Sequence, residues 1–424
     1  MFDLKIKNAK IIDGCGNASF SGEIGVTDNT IIERGKKIGQ AKHIFNAKGL
    51  TLCPGIIDVQ TNYCSPITWD NALCSLFRSG TTTAIIGNCI LGAMIPKNRK
   101  RKKNLSKLTK LERIHYNFPK DDIKSEFNNC TEYFKFLKKI KPFINICSVI
   151  SHSDLRFWVM GKDATKRKAN NKEISNMEKI LRDAMQNGII GFASSNFDEH
   201  NRFSGIPFPS KVVSKEELKR LVKAMSKYAR GVFMTTNSNN LTINDIIDII
   251  GNTKRPTVVS TLFHNLSKND RARKTLDEIY LARKKGFEIW GSVYYKSGKI
   301  EFSMNEFYMF TGISTWNEFK KKNSSEENFF SIEEAVQSLT SKQADIWRIP
   351  KRGRLVPGHY ADMILIDESK IEYAGLMKRK SLFHEPLRTV PISNGIHAMW
   401  INGKQLNLDL QTGSHGEVIR SFLT

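Results

Sequence analysis

Through the middle of this chain, short apolar runs alternate with amphipathic stretches. The runs lie at residues 56–59, 82–86, 143–150, 189–193, 232–235, 257–263 and 287–294. Runs this short and this continuously apolar read as strands buried on both faces, as in a parallel sheet. Between them, residues 175–186 and 215–228 repeat apolar positions at helical spacing. Ile174, Met177, Ile180, Leu181 and Ala184 make one such stripe. Strands alternating with helices predict a parallel α/β barrel. Seven strands emerge where a full barrel has eight, and the stretch from Tyr295 to Phe330 offers no convincing eighth.

Both ends of the chain carry a β pattern instead. Leu4, Ile6, Ile11 and Ile12 lead into a Gly14-Cys15-Gly16 turn, and residues 23–26 and 31–32 flank an Asp28-Asn29 turn. Toward the other end, residues 361–366 form a strand. Residues 398–401 then run into Asn402-Gly403, the dipeptide favoured in a type I′ hairpin. The expected architecture is α/β: a TIM-like (β/α) barrel over 55–354, incomplete at its last strands, plus a small β-sandwich domain built from both termini, 1–54 and 355–424.

Composition narrows the function classes more than the fold. The chain has 424 residues, 40% of them hydrophobic, and no stretch approaches the ~18 continuous apolar residues of a membrane span. Its opening, Met1-Phe2-Asp3-Leu4-Lys5, lacks the basic-then-apolar layout of a signal peptide. The seven cysteines are odd in number and contain no C-x-x-C pair, which suits reduced, buried thiols better than a disulfide framework. A cytoplasmic protein without a membrane partner is the expectation. The net charge of +24 raises the question of a polyanion. The one concentrated basic run, residues 97–110, has no interleaved aromatics and no nucleic-acid motif beside it. A solvated lysine-rich surface is the better reading, with no specific nucleic-acid partner.

Five segments, in order and at sensible spacing, carry a family resemblance. They are Cys53-Pro54-Gly55-Ile56-Ile57-Asp58-Val59; Gly80-Thr81-Thr82-Thr83 through Gly87-Asn88-Cys89; and Ile150-Ser151-His152-Ser153-Asp154-Leu155-Arg156 with Val159-Met160-Gly161. Next come Gly191-Phe192-Ala193-Ser194-Ser195 with Gly205-Ile206-Pro207-Phe208-Pro209-Ser210, and last Ser331-Ile332-Glu333-Glu334-Ala335-Val336 through Lys351-Arg352-Gly353 to Ala361-Asp362. In these the chain resembles the N-acyl-D-amino-acid deacylase (D-aminoacylase) branch of the amidohydrolase superfamily. That resemblance implies a metal-hydrolase barrel with a split β-domain. It also implies zinc-dependent hydrolysis of the amide bond of small N-acyl-D-amino acids, with a metal-bound hydroxide as nucleophile and a strand-end carboxylate as base.

The chain departs from that pattern twice. The family's first barrel strand ends in His-x-His, whose two side chains share a face and grip one metal. Here those positions are Gln60 and Asn62, and a neutral carboxamide is a poor zinc ligand. The family's base is an aspartate on the last barrel strand, yet no aspartate lies between Asp277 and Asp345. The interval around 295–330 is also shorter than its family counterpart, as if the last strands were truncated.

Other residues keep the question open. Cys89 stands where the family's G-N-C motif places a zinc ligand, with a plain buried thiol as the alternative. His152 follows a strand, as a ligand would, or is a hydrogen-bonded residue that orients the segment before Arg156. His264 suits a ligand and a packed histidine equally. Arg156 fits a substrate carboxylate as well as it fits a structural ion pair, and His200 reads as an exposed loop residue. The sequence has no phosphate-binding loop, no G-x-S-x-G elbow and no H-E-x-x-H. Three functions follow: a family member with little or no metal-dependent activity; a mono-zinc amide hydrolase on Cys89, His152 and His264; or a non-catalytic binding protein or subunit that partners an active paralogue. Both a homo- and a hetero-oligomer stay open as assemblies.

Overall fold

The computed structural model describes residues 1–61, 73–88, 127, 129–195, 209–227, 231–236, 238, 241–260, 262, 270–292, 331–380, 387–408 and 414–422. The first end of the chain supplies β1 (Phe2–Ile11), β2 (Phe20–Thr27), β3 (Thr30–Gly35), β4 (Ala41–Asn46) and β5 (Thr51–Pro54). The middle supplies β6 (Ile56–Asp58), β7 (Thr81–Ile86), β8 (Asn145–Ser151), β9 (Gly191–Ser194), β10 (Val232–Thr235), β11 (Thr257–Ser260) and β12 (Ile289–Ser292). The other end supplies β13 (Met363–Ile366), β14 (Glu372–Lys380), β15 (Leu387–Asn394), β16 (Ile396–Ile401) and β17 (Lys404–Gln405).

Strands from the two ends join in one eight-stranded sheet, ordered β17-β16-β13-β5-β1-β2-β3 with β4 beside β1. Both expected hairpin turns are present: Asp28 is left-handed between β2 and β3, and Asn402 and Gly403 are both left-handed between β16 and β17, as a type I′ turn requires. Ile6, Ile11, Ile24, Leu52, Met363, Leu365 and Trp400 form its core. Among the described residues this is a single sheet, where two facing ones were expected; β14 and β15 pair only with each other.

The seven apolar runs are the seven strands of a second, wholly parallel sheet, ordered β12-β11-β10-β9-β8-β7-β6. Its continuous apolarity follows from burial of both faces. Ile57, Ile85, Cys147, Val149, Ile190, Val232, Met234 and Val258 turn to the inner face, which Trp347, Ile349 and Ile419 close. Ile86, Ile150, Phe192, Phe233 and Val259 turn outward onto helices that include α1 (Cys130–Lys139), α2 (His152–Met160), α3 (Asn171–Gln186), α4 (Lys215–Ser226), α5 (Ile243–Ile250) and α6 (Asp270–Lys284). Two further helices, α7 (Ile332–Leu339) and α8 (Ser341–Ile346), pack near β6. Among the described residues the sheet is curled and ends at β6 and β12, and the stretch expected to lack an eighth strand lies outside the described residues.

One element was not foreseen. The segment around Val418 lies along β8 below the start of β9. The Ile146 N–H donates to the Glu417 carbonyl at 2.8 Å, and the Ile419 N–H donates to the Ile146 carbonyl at 2.9 Å. The C-terminal segment thereby fills a stretch of strand edge and adds Ile419 to the inner core.

Candidate functional site

In a parallel barrel, function gathers at the C-terminal ends of the strands. Those ends here carry Gln60, Asn88, Ser151 with His152, Ser194, Thr235, Ser260 and Ser292. Apart from the carboxyl of Asp58, the last residue of β6, they are amides, hydroxyls and one imidazole. Two contacts cross the inner face. The Ser292 hydroxyl at the end of β12 donates to Gln60 Oε1 beyond β6 at 3.2 Å, and the Asn88 amide beyond β7 donates to Met234 Sδ on β10 at 3.7 Å. Asp58, at the end of β6, accepts the Gln60 N–H at 3.1 Å, and burial pushes its carboxyl above the usual range.

His152 begins α2 and is fully enclosed. Its Nδ1 lies 2.9 Å from Ser194 Oγ and its Nε2 lies 2.9 Å from Glu217 Oε1 on α4. Burial pushes the imidazole below its ordinary value, against the opposing pull of Glu217. A neutral ring with its proton on Nε2 satisfies both partners: it donates to Glu217 and accepts from the serine.

Arg156, one turn further along α2, is buried against the same carboxylate. Its Nη1 donates to both Glu217 oxygens at 2.7 and 2.6 Å. Nε and Nη2 donate to the Ala164 carbonyl at 3.2 and 3.1 Å, and Nη2 also donates to the Arg167 carbonyl at 2.7 Å. All five donor positions are used, so a substrate carboxylate would have to displace Glu217. Burial alone would raise the Glu217 carboxyl; the His152 hydrogen bond and the Arg156 guanidinium outweigh it and hold the carboxyl below its ordinary value.

Of the residues singled out in the sequence, the structure thus joins His152 to Arg156 through Glu217 and joins Gln60 to Ser292. Asn62, Cys89, His200 and His264 lie outside the described residues.

No family model matches the chain. A search of curated proteins gives an uncharacterized protein of Mycobacterium bovis, 24% identical over 239 residues, which covers 54% of this chain and 39% of that protein. The chain therefore spans about two fifths of the length of this mycobacterial relative. N-acyl-D-aspartate deacylase of Alcaligenes xylosoxydans xylosoxydans is 22% identical over 98% of this chain and 95% of its own length. Among solved structures, N-acyl-D-glutamate deacylase from Bordetella bronchiseptica, with zinc and a phosphonate inhibitor, superposes with a TM-score of 0.74 over 99% of this chain and 100% of that one at 20% identity. The chain is a divergent relative of the N-acyl-D-amino-acid deacylases.

A metal is therefore implied by the relatives, and the described donors do not fit it. Among the described residues, no group of three His, Cys, Asp or Glu side chains is placed to hold a metal ion. At the first strand end of this deacylase relative the donor is a carboxamide, already accepting from Ser292. His152 has no ring nitrogen left over once Ser194 and Glu217 are served.

Glu217 escaped the sequence reading. It lies three residues after Ser214, whose hydroxyl accepts the Glu217 N–H at 3.2 Å, and that spacing reads as an ordinary helix cap. Its partners are more than sixty residues away, and only the apolar neighbours Leu218 and Leu221 hint that its face is buried.

Proposed function

We propose that this deacylase relative keeps the family barrel but has little or no metal-dependent deacylase activity, with small N-acyl amino acids as its ligands if activity survives. The observation that carries this is Gln60: where the resemblance puts a metal-gripping histidine, a neutral amide oxygen accepts a hydrogen bond from Ser292 at 3.2 Å. An amide held in this way offers a zinc ion neither charge nor a strong lone pair. The absence of aspartate between Asp277 and Asp345 supports the same reading, because the resemblance draws the general base from that interval. The proposal includes the split of the chain into a β-domain of 1–54 and 355–424 and a barrel of 55–354.

Metal analysis tests it. The purified full chain, dialysed against metal-free buffer, is expected to hold well under one zinc per chain and to leave N-acetyl-D-amino acids intact. Stoichiometric zinc that is lost in a Cys89→Ala variant, together with turnover, would establish the mono-zinc enzyme on Cys89, His152 and His264 instead.

A further inference from the structure

We propose that the barrel mouth binds an uncharged, amide-bearing small molecule without a metal, through the carboxamide of Asn88 beside that of Gln60. This rests on the reading that the mouth does not work through zinc, and it names the ligand class that replaces metal chemistry there.

Asn88 is the anomaly that points to a ligand. Its Oδ1 is shielded from water and has no hydrogen-bond partner among the described residues, and its amide nitrogen has only the thioether of Met234 at 3.7 Å. Thioether sulfur is a weak acceptor, so both ends of this carboxamide are poorly served. Buried polar groups are nearly always paired, and an orphan of this kind calls for an explanation. Its neighbours at the same strand ends are otherwise committed. Thr61 Oγ1 donates to the Ile85 carbonyl, Thr235 Oγ1 to the Ser194 carbonyl, and Ser194 pairs with His152.

The chemistry of the position selects the ligand. Asn88 lies beyond β7, the neighbour of β6, and its contact with Met234 on β10 reaches past β8 and β9 of the curled sheet. Gln60, Asn88 and Ser292 are neutral dipoles, which do not offset the cost of desolvating an ion, and the nearby Asp58 carboxyl already accepts the Gln60 N–H. A carboxamide with one strong acceptor and an underused donor is complementary to a second amide, whose N–H and C=O present the reverse pair. An N-acyl amino acid amide supplies that group and carries no charge.

The probes are N-acetyl-D-alaninamide and, as its charged counterpart, N-acetyl-D-alanine, titrated into the full chain with EDTA present and followed by ligand-observed NMR and calorimetry. The amide is expected to bind in EDTA, and more tightly than the carboxylate. Asn88→Leu, similar in shape and free of polar atoms, is expected to weaken binding at least about tenfold and to unfold at a higher temperature than the parent, because the orphan acceptor is gone. Asn88→Asp, which keeps the acceptor but adds charge, is expected to bind no amide. Absence of binding by either probe, or equal affinity in Asn88→Leu, would overturn the inference and leave the zinc-poor reading intact. Binding abolished by EDTA, together with measured zinc in the untreated sample, would overturn both.

Discussion

Ser292 and Gln60, 232 residues apart in sequence, are hydrogen-bonded between the two described ends of the parallel sheet, with the serine hydroxyl 3.2 Å from Gln60 Oε1. One residue follows the first strand of that sheet and the other closes the last described one. A side-chain bond thus links two ends that the described backbone does not join. A half-buried bond of this type contributes roughly 0.5–1.5 kcal/mol. In a double-mutant cycle, Ser292→Ala and Gln60→Ala should couple by about that amount in urea unfolding. Strictly additive effects would show that the two ends are held apart from each other in solution.

Glu217 balances the only charge of Arg156 and also orients His152, all three at negligible exposure. Removing one partner of such a pair leaves the other charge buried and uncompensated, at a cost of about 3–5 kcal/mol. Glu217→Gln, nearly identical in shape, should lose stability on that scale by chemical denaturation. A loss below about 1 kcal/mol would mean that water reaches Arg156.

Acid should destabilise the protein from near pH 6.5 downward. An ordinary histidine titrates near that value, but burial holds His152 lower, so the unfolded chain takes up a proton that the folded chain refuses. Stability then falls as pH drops, by up to about 1.4 kcal/mol per pH unit inside the window between the two values. His359 and His415 are lowered by burial as well and act in the same sense, and Glu217 adds a further loss below its ordinary carboxyl range. His152→Gln should therefore flatten, without abolishing, the change in urea midpoint between pH 7.5 and 5.5. An unchanged slope in that variant would assign the acid sensitivity to the other groups.

What the sequence made legible follows from where the information is stored. The strands were readable because burial of both faces forces continuous apolar runs, so β10 falls at the expected bounds of Val232 and Thr235. The two hairpin turns were readable because positive φ at Asp28 and Asn402 selects turn residues locally. Gln60 could be singled out because its place in a motif is fixed by spacing. The Glu217 cluster and the Val418 edge could not, since each is specified by partners distant in sequence and shows only ordinary local signals: a helix cap in one case, two isolated apolar residues in the other. The orphan oxygen of Asn88 belongs to the same class, being visible only once Met234 is placed opposite it.

The C-terminal segment should be as necessary to the barrel as a strand. Gly416 passes so close to the chain before β8 that a Cβ there would lie 2.0 Å from the Ile144 carbonyl oxygen and 2.3 Å from its carbon. Both atoms are backbone, so relief requires the segment to lift. Lifting breaks the Ile146–Glu417 and Ile419–Ile146 hydrogen bonds and separates the Glu417 carboxylate from Arg352, which is buried against Asp362. Ile419 would also leave the inner core. Gly416→Ala should cost at least about 2 kcal/mol, the scale of overpacking combined with lost buried bonds. Gly39→Ala is the control: its nearest neighbour is an ordinary 3.6 Å contact with the Phe2 ring, and it should stay within about 0.5 kcal/mol of the parent. Equal unfolding temperatures for the two variants would show that the tail is only laid against β8 and does not complete it.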